Sequence, residues 1–150
     1  MTKKILLGLL SLFILIQFFR PSRNLSTAPE PDEIFSHYPA SESIKAMIKT
    51  SCYDCHSNNS RYPWYTYIQP IAWITAHHIE EGKRELNFSE FGTYSLKKSN
   101  HKLEEVEETV HQREMPIKSY SQLHPEADLT DNEKNLLIMW SKDLRSNLLK

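Results

Sequence analysis

Apolar positions along this chain fall first into one unbroken run and then into helical stripes. Residues 5–19 read ILLGLLSLFILIQFF, with 12 of 15 apolar and none charged. Lys3 and Lys4 precede the run, and Arg20-Pro21-Ser22-Arg23 closes it. A basic start followed by an apolar stretch is the pattern of an export leader. At ~1.5 Å per residue the run is roughly 22 Å long, against about 30 Å of hydrocarbon. It spans a bilayer only if flanking Lys and Arg side chains reach the headgroups. Ser26 to Ala28 is the nearest approach to a cleavage site. Residues 1–23 therefore read as an uncleaved N-terminal apolar anchor helix, with a cleaved signal as the alternative.

Residues 24–40, rich in Pro, Ser, Thr and Asn, read as a linker that gains structure near Ile34 and Phe35. Beyond it, strict apolar alternation is hard to find and helical spacing is easy. Ser41 caps a helix carrying Ile44, Met47 and Ile48 that runs into Cys52. Pro70 suits the first turn of a helix with Ile71, Ile74 and His78 on one face, ending near Gly82. Leu96, Leu103, Val106 and Val110 form one stripe on a helix that stops by Glu114, before Pro116. Thr130-x-x-Glu133 is a capping box, opening a helix with Leu137, Trp140, Leu144 and Leu148 along one side. Residues 41–150 thus read as one all-α domain, with long irregular connections around 57–69 and 115–129.

Composition narrows the chemistry. Four of the 18 basic residues and none of the 19 acids lie in the first 23 positions. From Asn24 onward 14 bases face 19 acids, a net charge of −5. A net-acidic domain without a basic block is a poor nucleic-acid binder. Only Gly82 and Gly92 follow the leader, which excludes a Gly-rich phosphate loop. The two cysteines, Cys52 and Cys55, are too close in sequence to staple a secreted fold.

Cys52-Tyr53-Asp54-Cys55-His56 is the sharp feature. Two thiols three residues apart can each bond one vinyl side chain of a haem, and the next residue then sets an imidazole under the iron. A large apolar ring also explains how a lean core suffices. Two other readings compete. A zinc site at Cys52 and Cys55 lacks a second CxxC or a paired His motif. A thiol–disulfide redox pair lacks its usual βαβ setting.

For the sixth iron position, Met115-Pro116 lies 59 residues beyond His56, and His/Met ligation raises the reduction potential. His78 is the rival distal ligand, with His77 weaker. Tyr62 and Trp64, within an aromatic cluster just after the motif, are candidate haem-wall residues, and Arg61 is a candidate to offset propionate charge. His37, His101, His111 and His124 read as solvated or loop residues. Glu104, Glu105, Glu107 and Glu108 read as the solvated side of their helix, with a docking surface for a basic redox partner as the second reading.

Taken together, these segments resemble the bacterial haem-binding domain family that carries a single CxxCH. The resemblance covers roughly residues 41–145. It rests on Cys52 to Asn58, Tyr62-Pro63-Trp64-Tyr65, His77-His78-Ile79-x-Glu81-Gly82, Leu86-Asn87-Phe88-Ser89, Glu114-Met115-Pro116, His124-Pro125-Glu126-Ala127 and Trp140. It implies covalent haem c outside the cytoplasm, and so a periplasmic domain on an inner-membrane anchor, with Lys3 and Lys4 inside. It brings no substrate. The paired His77-His78 belongs to the pattern and keeps bis-histidine ligation open. The closing Met-Pro, loop and capped helix also resemble single-haem cytochromes c. The expectation is a small helical, cytochrome c-like domain around a covalent haem, held at the membrane through residues 5–19. It passes single electrons to a redox partner protein and is not an enzyme. The alternatives are a haem-based sensor or ligand-binding module with an open sixth position, and a small peroxidase-type haem enzyme using His78.

Overall fold

A computed structural model describes residues 2–148. Among these the chain is all-α, with no strand. Eight α-helices follow in order: α1 (Thr2–Ile16), α2 (Ile34–His37), α3 (Glu42–Ser51), α4 (Tyr53–His56), α5 (Ile71–Glu85), α6 (Leu96–His111), α7 (Lys118–Leu123) and α8 (Asp131–Leu148). Short 3₁₀ turns at Trp64–Tyr67, Phe88–Thr93 and Pro125–Ala127 fill the connections. The segments around 57–69 and 115–129 are therefore not wholly irregular.

Local signals place several elements as expected. Ser41 Oγ accepts from the Ile44 N–H at 3.3 Å, and Ile44, Met47 and Ile48 are buried on α3. The capping box at α8 closes both ways: the Thr130 N–H donates to Glu133 at 2.8 Å, and the Glu133 N–H donates to Thr130 Oγ1 at 3.3 Å. Each bond satisfies a helix-end donor that would otherwise lack a partner.

Elsewhere tertiary packing overrides the stripe. On α6 the buried residues are Ser99, Leu103, Glu107 and Val110, while Leu96 is exposed. The acidic run is not simply a solvated face. Glu107 is buried and takes both its oxygens to Arg145 Nη1 at 3.2 Å, and Arg145 Nη2 donates to Glu104 at 2.8 Å. These pairs tie α6 to α8, the most extensive helix pairing in the molecule. On α5 the buried positions are Ala72 and Ile79, and Ile71, Ile74 and His78 are exposed. The apolar face expected to sequester His78 is thus an open one.

The stretch read as a linker is docked. Ile34 is fully buried in the core with Phe88, Phe91 and Leu137. The Asn24 side chain donates to the Ser57 carbonyl and to Ser60 Oγ, both at 2.8 Å. The leader forms α1, whose 15 residues are none of them buried. No helix among the described residues is long and apolar enough to cross a membrane. The helix expected over 5–19 is corrected to one over Thr2–Ile16 that gives way to turns at Gln17 and Phe18.

Candidate functional site

The motif forms a single helical turn. Cys52 ends α3 and caps α4, and the His56 N–H donates to the Cys52 carbonyl at 2.9 Å. This turn is gripped from two sides. Behind it, α5 comes so close that a Cβ at Gly82 would stand 2.7 Å from the Cys55 carbonyl oxygen. Only glycine permits that approach without a shift. Beside it, the buried Asp54 carboxylate collects the next loop and α7. The Arg61 Nε donates to both its oxygens and the Arg61 backbone N–H to one, all at 3.1 Å, and the Tyr120 hydroxyl donates at 2.6 Å. Arg61 is thus committed to Asp54, whose hydrogen bond raises the guanidinium pKa, rather than held in reserve for a propionate.

His56 Nδ1 lies 3.0 Å from the Leu86 carbonyl oxygen. A carbonyl only accepts, so the proton sits on Nδ1 and the Nε2 lone pair is left as a metal donor. Burial holds the imidazole below its ordinary pKa of 6.5, which keeps it neutral. Phe88 meets the ring edge-on, with centroids 6.4 Å apart, and stacks in turn on Tyr53. The two thiols are free and half-buried. Burial pushes Cys52 up to about 12 and Cys55 up to about 11, the Asp54 charge adding to the second. Neither is a thiolate at neutral pH, which is the opposite of a redox-active dithiol.

Besides a cavity of about 230 Å³ bordered by Asp54, Cys55 and His78, two adjoining cavities of about 400 and 200 Å³ open on this turn. Both are bordered by Cys52, His56, Glu85, Met115 and Pro116. The larger is walled by Ile48, Leu86, Phe88, Leu103, Val106, Val110, Leu129, Leu137 and Trp140. The smaller adds Cys55, His78 and Tyr120. Among the described residues Lys102 is the one Lys or Arg bordering either space, against Asp54, Glu81, Glu85, Glu105 and Glu108. Its Nζ lies 2.7 Å from Glu105 and 3.2 Å from Glu85.

The structure sorts the residues singled out in the sequence. Cys52, Cys55, His56, Met115 and His78 meet at the cavities. His77 is exposed and borders neither. Tyr62 and Trp64 also lie outside them: the Tyr62 hydroxyl accepts from the Asn24 N–H at 2.7 Å, and Trp64 is 76% exposed. His124, read as a solvated or loop residue, does lie between elements but is buried, stacked on Tyr120 with centroids 4.4 Å apart and hydrogen-bonded to Tyr65. Asp54, Leu86 and Tyr120 escaped sequence reasoning. Asp54 alone carried a signal, a carboxylate inside the motif.

This donor set suits a haem. One neutral imidazole, the Cys52 thiol and a thioether border an apolar space of about 400 Å³, within the ~300–1,000 Å³ of ligand sites, and the Cys55 thiol of the same turn borders the smaller cavity beside it. It does not suit zinc. Among the described residues no group of three or more His, Cys, Asp or Glu is arranged to hold a metal ion. A porphyrin iron asks the protein for axial ligands only.

A family model described as a haem-binding domain matches residues 11–143. No curated protein and no solved structure matches.

Proposed function

Because the chain belongs to the haem-binding domain family, we propose that it carries one haem as thioethers on Cys52 and Cys55 and passes single electrons. When bound, the iron supplies the one-electron couple. His56 gives the proximal nitrogen, oriented by the Leu86 carbonyl. Gly82 and Asp54 fix the turn, and the apolar wall excludes water. Met115 is favoured as the distal ligand because it borders the larger apolar cavity together with His56, whereas His78 borders the two smaller ones. A position outside the inner membrane, with α1 as the membrane attachment, goes with the covalent attachment proposed here. The apolar surface of α1, exposed from Ile5 to Leu15, supports that attachment.

The observation that carries this reading is the pairing of His56, its Nδ1 already engaged, with two thiols on the same turn at one cavity. Acid–acetone extraction of protein exported from a host competent for haem attachment tests it. Colour should stay with the wild-type chain and leave Cys52→Ser/Cys55→Ser. Extraction from the wild type would contradict covalent attachment.

A further inference from the structure

The leader is built into the domain rather than hung from it. Gln69 is 1% exposed, and its Nε2 donates to the Phe19 carbonyl at 2.8 Å. Its backbone N–H donates to Gln17 Oε1 at 2.9 Å, and Trp73 Nε1 donates to the same Phe19 carbonyl at 2.8 Å. Just beyond, Pro21 to Arg23 lie in a cleft against Thr66, Tyr67 and Ala72, with the Arg23 guanidinium 4.2 Å from the centre of the Tyr67 ring. A buried amide satisfied by leader groups is left unpaired if the leader swings away or is removed. Residues 17–23 are therefore a fixed foot between α1 and α5.

Around this foot the domain exposes what a solvated protein usually covers. Trp64 is 76% exposed, Trp73 40%, Tyr67 39% and Ile68 37%, with Arg20 and Arg23 beside them. We propose that this face lies on the headgroup layer of the bilayer that holds α1. The inference rests on the reading of residues 2–19 as a membrane-held leader. Continuity with α1 identifies the occupant: the face begins where the apolar helix ends and is hydrogen-bonded to it. Indole and phenol rings favour the water–lipid boundary, and the two arginines complement anionic headgroups.

The consequence is orientation. Helix α5 starts at the foot, with Trp73, and reaches the motif at Gly82, nine residues later and about 14 Å along its axis. A leader plus a contact face holds the iron-binding turn at a set height and angle to the membrane, where a loose tether would let it tumble.

The test uses the full-length, haem-loaded chain in vesicles of phosphatidylcholine and phosphatidylglycerol containing a lipid with a photoactivatable group near its headgroup. Adducts are mapped by peptide mass spectrometry. Adducts on the leader and on residues 62–74, with none around Trp140, are expected. Trp64→Ser/Ile68→Ser, which alters two exposed side chains, should lower labelling of 62–74 several-fold and leave leader labelling unchanged. Adducts confined to the leader would overturn the face while sparing the anchor. Absence of adducts and of co-sedimentation would overturn the membrane-held leader, and the face with it. Unchanged labelling of 62–74 in the double variant would also contradict the proposal.

Discussion

At Gly82 the backbone of α5 meets the Cys55 carbonyl with no room for a methyl group. Gly82→Ala should lower stability although alanine is the better helix former. Overpacking against backbone costs about 1–3 kcal/mol, which outweighs the ~1 kcal/mol gained in helix propensity. A urea midpoint below wild type is expected, and a raised midpoint would refute the contact. The thiols give a pH prediction. With Cys52 pushed up to about 12 and Cys55 up to about 11, both stay protonated well past the ordinary thiol value of 9.0. Alkylation of the native haem-free chain should therefore run about a hundredfold or more slower than that of the chain unfolded in urea at the same pH, because far less thiolate is present. Its rate should still climb about tenfold per pH unit through pH 9, where the unfolded chain begins to level off. At Met115, Leu substitution should abolish the weak near-infrared sulfur-to-iron band of the oxidised protein and lower the reduction potential. Retention of the band would shift the distal role elsewhere. The motif and Met115 stood out as candidates because their chemistry is local. Asp54, Leu86 and Tyr120 were not, since their partners lie seven to 66 residues away.

Helix spacing read well where a helix has one apolar face on one core. Helix α3 with Ser41, Ile44, Met47 and Ile48 is such a case. On α6 it placed Leu103, Val106 and Val110 rightly but missed Leu96, which is exposed, and the buried Ser99 and Glu107, because α6 packs along α8 through polar atoms as well as apolar ones. Ser141 Oγ donates to the Leu103 carbonyl at 3.0 Å, and Arg145 reaches Glu104, Glu107 and Asn100. No hydrophobic periodicity marks a buried glutamate, because only the distant arginine makes its burial tolerable. Arg145→Met should thus destabilise by about 1–3 kcal/mol, the cost of leaving Glu107 unpaired. Arg145→Met/Glu107→Leu should recover part of that loss. Denaturant unfolding of both variants checks it, and equal stability of the single variant and wild type would show the pair to be idle. The same blindness hid the leader's foot, where Gln69 looks in sequence like any polar residue before a proline.

At the scale of the whole molecule, the net charge of −1 conceals a basic leader joined to a domain of −5. That domain folds around a cavity bordered by its only two cysteines, and the spare apolar content of the sequence is what the cavity leaves for a ligand to supply. The all-α class was legible from helical spacing, and the haem-binding family from the motif and the short matches around it. How the leader, the docked segment from Asn24 to Ala40 and the cavity fit together was not, since it depends on contacts between distant elements. The central claim, covalent haem on Cys52 and Cys55, is tested most directly by intact-mass spectrometry of protein exported from a host competent for haem attachment. Adding two thiols across two vinyl groups expels no atoms, so the account predicts the mass of the chain plus one whole haem, lost together with both sulfurs in Cys52→Ser/Cys55→Ser. A wild-type chain at its unmodified mass would contradict it.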